Sequence, residues 1–429
     1  DIFRHSHTIQ PRIPSVVDAG GTLVAFAEAR RGSCKSGPPT CTCSRGSYAI
    51  VTARSTSAGR TWSAPQVVAG STTDGTMGCV NYPGAVHDAR TNTTVLQFVH
   101  SQHLYGGACR VRQLTSTSQG RTFSHPYRCL DGVVPYAPTG AIQLRSGRLL
   151  FCGDGQTWWS DDHGASYRNS SGRIGPDCAP GIGCGFLDGE CSIAELASGD
   201  VLVSFRHQPN ASVPRRVEAL SSDRGETFSG WRYDMQLPSP GIQAALASTA
   251  SGRLVFGGPN FAYEQHPNNS KKVAKSPSAC PQGRCHYRLH SAPSPTSLPV
   301  QWSDSLSVYQ GGAGYSWITP VSSSSPDTEL LGIAFERGYD QAPDNVSFAL
   351  VEVSRASMKS DDEPELVLVP AGKTVMGTSD TTPLKGGVAL PGREFGDYDE
   401  HPQHSATTAA FYIGRTEVTN AQYEKFDPA

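Results

Sequence analysis

Ser160-Asp-Asp-His-Gly-Ala-Ser-Tyr167 decides the fold, because its pattern S-x-x-x-G-x-[TS]-[FWY] occurs four times along the chain. The other copies are Ser55-Thr-Ser-Ala-Gly-Arg-Thr-Trp62, Ser116-Thr-Ser-Gln-Gly-Arg-Thr-Phe123 and Ser221-Ser-Asp-Arg-Gly-Glu-Thr-Phe228. In such a stretch the Ser and Asp side chains bond the backbone of their own turn, and glycine supplies a positive φ. The aromatic residue packs beneath. Each copy is therefore predicted to form the tip of a β-hairpin.

The spacing of the copies indicates a repeated sheet. They begin 61, 44 and 61 residues apart, close to the roughly 40–50 residues of a propeller blade with loop insertions. Short strand-like runs follow turns between them, such as Val95-Leu-Gln-Phe-Val99 and Arg148-Leu-Leu-Phe151. Long helical periodicity is missing from this region. The pattern predicts an all-β propeller.

Composition excludes several classes of function. Charged residues make up 17% of the chain and the formal net charge is −2, so no electrostatic footprint for nucleic acid is present. No apolar stretch reaches the roughly 18 residues needed to span a bilayer. We expect no nucleic-acid partner, no transmembrane segment, and a monomer.

Cysteines and glycosylation motifs indicate export. The chain has 12 cysteines, most of them in local clusters, and Cys152 stands apart. The pair Cys41-x-Cys43 has no partners at zinc-finger spacing, so disulfides are favoured over a metal site. Five N-x-[ST] motifs begin at Asn92, Asn169, Asn210, Asn268 and Asn345. We expect a trimmed N-terminus at Asp1 and a secreted, extracellular or lumenal protein, the lysosome included.

The four repeats resemble the Asp boxes of sialidases and related propellers. The resemblance implies that residues 1–354 form a six-bladed β-propeller of the sialidase type. Ser57 and Ser118 stand where the box normally has Asp, and their hydroxyls are expected to make the same turn bonds more weakly. Asp boxes also occur in propellers without sialidase activity, such as those of sorting receptors, so the function has to be inferred from the site residues.

Elements resembling the site of exo-α-sialidases follow in the family's order. Arg12-Ile-Pro14 and Phe26-Ala-Glu-Ala-Arg30 resemble the R-I-P segment and the F-A-E-x-R strand end. The later elements are Leu187-Asp-Gly-Glu190, Val203-Ser-Phe-Arg206, Gly283-Arg284, Gly314-Tyr315-Ser316 and Ile333-Ala-Phe-Glu336. Arg288 is an alternative to Arg284. The resemblance implies binding of sialylated glycoconjugates, with no cofactor and no metal.

The resemblance also implies a role for each residue. Three arginines would clamp the substrate carboxylate, namely Arg12, Arg206 and Arg284, because planar guanidinium groups bind carboxylates with paired hydrogen bonds. Glu336 would orient Arg12, and Arg30 would add positive potential.

The nucleophile would be a tyrosine. Tyr315 would attack with Glu190 as its base, giving retained configuration, because sialidases depart from the usual pair of carboxylates. A neutral phenol avoids the repulsion that an attacking carboxylate would meet beside the substrate's own carboxylate.

The general acid is missing from its expected place. Relatives carry an aspartate a few residues after the Arg30 position, but the loop 31–47 has no Asp or Glu, and Ser44 stands there. Asp74 could replace it, although Asp-Gly pairs are also common in turns. Otherwise the chain would act only on substrates with good leaving groups, or would bind sialic acid without turnover.

The C-terminal part has a different character. Residues 355–365 form a charged linker. Residues 366–429 contain Val369-Pro-Ala-Gly372 and Glu417-Val-Thr-Asn420, and they resemble the beginning of a formylglycine-generating-enzyme (sulfatase-modifying factor) domain. We expect an incomplete α+β segment that is not catalytic, because the family's catalytic cysteines lie beyond it.

Overall fold

The structure is a computed structural model in two compact units, Asp1–Lys359 and Ser360–Ala429. It describes residues 1–6, 9–31, 48–70, 80–100, 111–130, 139–153, 155–170, 178–179, 183–184, 187–207, 215–238, 240–260, 284–322, 328–338, 345–354, 366–369, 372–376, 404–408 and 411–414. Within these ranges the chain is all-β, as predicted.

Four antiparallel sheets of four strands each follow one another along the first unit. Blade 1 consists of β2 (Ile9–Asp18), β3 (Leu23–Arg31), β4 (Tyr48–Ser55) and β5 (Gln66–Ala69). Blade 2 consists of β6 (Val80–Asp88), β7 (Thr93–His100), β8 (Val111–Ser116) and β9 (Arg128–Cys129). Blade 3 consists of β10 (Gly140–Gln143), β11 (Leu149–Gly153), β12 (Gln156–Ser160) and β13 (Arg168–Asn169). Blade 4 consists of β16 (Leu187–Glu195), β17 (Val201–His207), β18 (Arg215–Ser221) and β19 (Ser229–Pro238).

The last two blades share one long strand. Blade 5 contains β20 (Ala245–Ser248), β21 (Leu254–Pro259), β22 (Cys285–Ala292) and the first half of β23 (Asp304–Val321). The second half of β23 begins blade 6, which continues with β24 (Thr328–Arg337) and β25 (Asn345–Ser354). The N-terminal strand β1 (Phe3–Arg4) pairs with β25 and completes this sheet.

The first strands of the six blades lie against one another in a ring. β2 contacts β6, and contacts continue through β10, β16, β20 and the shared strand β23 back to β2. Apolar side chains from neighbouring blades fill the layers between the sheets. The predicted six-bladed, all-β propeller is confirmed.

The repeats lie at the hairpin tips between the third and fourth strands of blades 1 to 4. In every copy the first serine accepts a hydrogen bond from the glycine N–H, at 2.8 Å for Ser55, 2.9 Å for Ser116, 2.7 Å for Ser160 and 2.8 Å for Ser221. The glycine φ lies between 75° and 87°, as the pattern predicts. The residue before each glycine also has a positive φ.

The Ser and Asp boxes make the same turn bond through different side-chain groups. Asp162 accepts from the Ser166 N–H at 2.8 Å and from the Ser166 hydroxyl at 2.5 Å. Ser57 accepts from the Thr61 N–H at 2.9 Å, and its hydroxyl lies 2.8 Å from that of Thr61. Burial alone would raise the pKa of Asp162, but hydrogen bonds from Ser166 and Ser160 outweigh it and lower the pKa to about 2.

The box glycines also pack closely against the blade that precedes their own. A Cβ at Gly59 would overlap the ring of Phe348 in blade 6. A Cβ at Gly120 would come within 2.6 Å of Val24, and one at Gly225 within 2.5 Å of Leu150. Because only glycine leaves room for these contacts, the repeat serves both the turn and the packing between blades.

Hydrogen bonds link neighbouring blades at the turns that leave the first strands. In each case a side-chain oxygen of one blade accepts a hydrogen bond from a backbone N–H in the turn of its neighbour. The pairs, with the acceptor first, are Gln143 with Ala89, Glu195 with Arg145, Ser294 with Ala197, Glu329 with Ser251 and Asp18 with Ser322. These inter-blade latches surround one end of the central channel. A cavity of about 540 Å³ opens there, with mostly apolar walls.

A disulfide joins blades 3 and 4 through Cys152 and Cys191. The local clustering of cysteines did not reveal this pairing across blades. Cys129 and Cys285 are also disulfide-bonded, whereas Cys34, Cys41, Cys43, Cys79, Cys109 and Cys280 lie outside the described residues. In the described chain, no helix is long and apolar enough to cross a bilayer.

The second unit is described only as strands. β26 (Leu366–Val369) pairs with β29 (Phe411–Gly414), and β27 (Gly372–Met376) pairs with β28 (His404–Thr408). A further short pair in the first unit joins β14 (Cys178–Ala179) to β15 (Gly183–Cys184). The proposed linker 355–365 lies outside the described residues.

Replacing Asp162 by Ser should lower the free energy of unfolding at pH 7 by about 1 kcal/mol, because charge-assisted bonds become neutral ones. The folded pKa lies below the unfolded value of about 3.9. The contribution of Asp162 is therefore full above about pH 5 and lost as the pH falls towards 2. Urea unfolding of both proteins should show a difference at pH 7 that shrinks in acid.

Ser57→Asp is the matched control and should change stability in the opposite direction. Equal midpoints for Asp162→Ser and the parent chain at pH 7 would contradict this account of the box.

Candidate functional site

The predicted site residues on the first strands occur at irregularities in strand pairing. The register shifts between Arg12 and Ser15 in β2, and between Leu187 and Cys191 in β16. β23 shifts between Ala313 and Ser316. Bulges bend a strand and redirect its side chains, and here they occur near the starts of β2 and β16 and within β23, at the channel end opposite the latches.

Arg12 and Glu336 form the expected ion pair. Arg12 Nε donates to Glu336 Oε1 at 2.9 Å and Nη2 donates to Oε2 at 3.2 Å. The same carboxylate accepts the N–H groups of Ile13 at 2.8 Å and Tyr315 at 3.1 Å. Burial opposes the charge, but Arg12 and these donors hold the pKa of Glu336 below its usual value.

Tyr315, Glu190 and Arg206 meet in one buried cluster. The Tyr315 hydroxyl donates to Glu190 Oε1, while Arg206 Nη1 donates to Glu190 Oε2 at 2.7 Å and to the tyrosine oxygen at 3.1 Å. The Arg12 guanidinium lies 5.3 Å from the centre of the tyrosine ring. Burial, followed by the charge of Glu190, raises the pKa of Tyr315 above its usual value. The resting phenol is therefore neutral.

Arg284 approaches this cluster from blade 5. Its Nη2 donates to the Gly241 carbonyl at 3.2 Å, and no carboxylate in the described part of the chain forms an ion pair with it. Burial lowers the pKa of Arg284, and the charges of Arg206 and Arg12 add to this effect. Arg288, the sequence alternative, donates to Ser305 at 2.8 Å instead.

Arg30 forms a buried ion pair with Glu28. Its Nε donates to Glu28 Oε2 at 2.7 Å, and Glu28 accepts the Tyr82 N–H at 2.7 Å through its other oxygen. Glu28 is fully buried and pairs in register with Arg12. The sequence analysis assigned no role to Glu28. Its position two residues before Arg30, on the same face of the strand, could have predicted this ion pair.

The wall around Tyr315 also went unpredicted. Ile13 and Ile242 pack against the ring, with Tyr82 beside them. Ile13 and Tyr82 have φ values of 51° and 54°, which are unusual for such residues and are found at constrained sites. Nothing in the local sequence indicates these conformations.

Asp74 and Ser44, the two residues discussed for the general acid, lie outside the described residues. Among the described residues, no group of three or more His, Cys, Asp or Glu side chains could hold a metal ion.

A family model described as a BNR repeat-like domain matches residues 45–322, well over half of the chain. The chain belongs to this family. A second model, the sulfatase-modifying factor enzyme 1-like domain, matches residues 352–427. Both predicted resemblances are confirmed.

A curated relative and solved structures agree with this result. A sialidase of Micromonospora viridifaciens is 29% identical over 269 residues, covering 55% of this chain and 38% of the relative. The chain therefore spans less than two fifths of that protein's length. The NanB sialidase of Streptococcus pneumoniae has a TM-score of 0.59 at 14% identity, covering 82% of this chain and 71% of that one. The intramolecular trans-sialidase of Ruminococcus gnavus has a TM-score of 0.58 at 15% identity, covering 84% and 98%. At these identities the structures support the fold alone.

Glu336→Gln should lower the free energy of unfolding by about 3 kcal/mol, because it leaves the buried Arg12 charge without its partner. The folded pKa of Glu336 is lowered, so its contribution is full above the unfolded value of about 4.3 and is lost as the pH falls through the lower folded value. Urea unfolding at pH 7 and in acid measures both effects.

Glu195→Gln is the control at the other end of the channel, where Glu195 pairs with a mostly exposed Arg145 side chain. It should cost less than about 1 kcal/mol. A Glu336→Gln cost no larger than the control's would contradict the central role of this carboxylate.

Proposed function

We propose that this chain is an exo-α-sialidase that hydrolyses terminal sialic acid from glycoproteins, glycolipids or oligosaccharides with retained configuration. The observation that carries the proposal is the cluster in which Tyr315 donates to Glu190 while Arg206 bonds both. A phenol bonded to a carboxylate, surrounded by guanidinium groups, matches what a tyrosine nucleophile and a carboxylate-bearing sugar require.

The charges of the site support binding of an anion. Glu336 balances Arg12 and Glu190 balances Arg206. The Arg284 cation has no described counterion, and its lowered pKa reflects the cost of burial close to other cations. A substrate carboxylate placed between the three guanidinium groups would neutralise this excess charge.

The proposed reaction has two displacements. Tyr315 Oη attacks the anomeric carbon while its proton passes to Glu190, and the bond to the leaving-group oxygen breaks as that oxygen receives a proton from the general acid. Water then attacks the same carbon and gives a proton to the deprotonated general acid, while the tyrosine oxygen leaves and recovers the proton held by Glu190. Two inversions give retention. The raised pKa of Tyr315 means that Glu190 must take the proton during the attack.

Asp74 is the proposed general acid. No carboxylate occurs in the loop 31–47, where the resemblance to sialidases implies an aspartate. The same observation favours a second candidate, a propeller that binds sialylated glycans with weak or no turnover. Aryl leaving groups need little protonation. Turnover of an aryl sialoside without turnover of a natural sialoside would therefore indicate a site that lacks its general acid.

Export of the protein is part of the proposal. The buried disulfide between Cys152 and Cys191 is of the kind that forms in oxidising compartments, where sialylated glycoconjugates are also exposed.

Tyr315→Phe should lower kcat on a fluorogenic aryl sialoside by at least about a thousandfold, because the nucleophilic oxygen is removed. Binding of a sialic acid analogue should persist, since the guanidinium groups remain. The parent chain should hydrolyse both the aryl substrate and an α2,3- or α2,6-linked sialoside, and Asp74→Asn should slow the natural substrate more than the aryl one.

Arg284→Gln is the control for recognition and should weaken analogue binding. Binding without turnover of either substrate would favour the second candidate. A parent chain that neither binds the analogue nor turns over either substrate would refute both.

A further inference from the structure

Arg216 is a buried arginine in β18 that the proposed reaction does not use. It is 1% exposed, and each nitrogen of its guanidinium donates a hydrogen bond. Nε donates to the Ser204 hydroxyl at 3.1 Å, Nη2 to the Ser204 carbonyl at 3.0 Å, and Nη1 to the Ile242 carbonyl at 2.9 Å. One planar group therefore ties together two separate segments of chain.

The first of these segments carries Arg206. Ser204 lies two residues before Arg206 on the same strand, so both side chains lie on one face of β17. A bond to Ser204 thus constrains the strand at the point where the clamp arginine and its partner Glu190 meet.

The second segment, residues 241–243, forms the wall of the site. Ile242 packs against the Tyr315 ring, and the carbonyl of Gly241 accepts from Arg284. Gln243 accepts the Ser316 N–H at 3.0 Å, next to the nucleophile. These residues are not in a regular strand, so the bond from Arg216 to Ile242 is one of a few ties that fix the segment.

The charge of Arg216 lies between two groups of ionisable residues. Glu190 and Arg206 face it from the site, and Glu218 and Asp234 face it from β18 and β19. Burial, with the charge of Asp234 as the next contribution, raises the pKa of Glu218 well above its usual value. Burial lowers the pKa of Arg216 to about 10, and the group remains a cation at neutral pH.

We propose that Arg216 is a positioning residue for the reaction. Its guanidinium locks the Ile242 segment to the strand of Arg206, and its positive charge attracts the Glu190 carboxylate from behind. The inference rests on the proposed function, since the positioned groups are the proposed nucleophile, base and clamp.

The test compares Arg216→Lys, Arg216→Met and Arg148→Met in the full chain, with kcat and KM for an aryl sialoside measured against pH. Arg148 is the matched control, because it is 2% exposed and bonds Asp161 and Glu226 in the box region. Arg148→Met should destabilise the fold and leave kcat and the pH profile of the folded protein unchanged.

The two Arg216 variants should differ from each other. Lysine keeps the charge but cannot reach Ser204 and Ile242 together, so kcat should fall about tenfold or more while the acid limb of the profile stays in place. Methionine also removes the charge, so kcat should fall further. The acid limb should then move to higher pH, because carboxylates protonate more easily once a nearby cation is lost.

Unchanged kcat and pH profile in folded Arg216→Met would overturn the inference and leave the proposed function standing. If that variant does not fold, Arg216→Lys decides the question through its kcat. If the parent chain shows no turnover, calorimetry with 2-deoxy-2,3-didehydro-sialic acid provides the readout. Arg216→Met should then weaken binding about tenfold relative to Arg148→Met, and equal affinities would overturn the inference. A parent chain that neither binds nor reacts would overturn the proposed function and this inference together.

Discussion

The Glu336 carboxylate is the constraint on which the rest of the site depends. It holds the Arg12 guanidinium through two bonds and accepts the backbone N–H groups of Ile13 and Tyr315. Arg12 belongs to the first blade and Tyr315 to the last, so one buried anion joins the first and last blades of the propeller. A Cβ at Gly314 would overlap this carboxylate, which explains a glycine immediately before the tyrosine. The positive φ of Ile13 persists because the surrounding bonds determine it.

The two ends of the central channel have different roles: one carries the charged site residues, and the other carries the hydrogen bonds between blades. At one end, bulged first strands direct charged side chains inward, and the cost of burying those charges is met by pairing. At the other end, turns are tied from blade to blade by side chains such as Gln143 and Glu329, and the Asp boxes wedge the outer strands. The proposed reaction uses a tyrosine, a glutamate and three arginines, and such a frame would hold them in fixed positions, because preorganised donors cost little to align.

Local patterns predicted local structure, and resemblance predicted the pair of Arg12 and Glu336. The box sequence specifies its own turn, so the hairpins were readable and Ser57 makes the expected bond. The strand β23, shared by two blades, was not predicted, because its pairing with β22 and β24 depends on distant segments. The same reason applies to the disulfide of Cys152 with Cys191 and to the wall residue Ile242. The residues that contact each other are far apart in sequence, so no short sequence pattern predicts the contact.

The central claim is that Tyr315 attacks the sugar, and trapping the glycosyl-enzyme tests it most directly. A sialosyl fluoride with fluorine at C3 should react with the enzyme and then hydrolyse slowly, because the fluorine destabilises positive charge at the neighbouring carbon. Peptide mass spectrometry should find the added mass on the peptide that contains Tyr315, with none in Tyr315→Phe. An adduct on another residue, or turnover of the fluoride with no adduct at any time, would contradict the tyrosine mechanism.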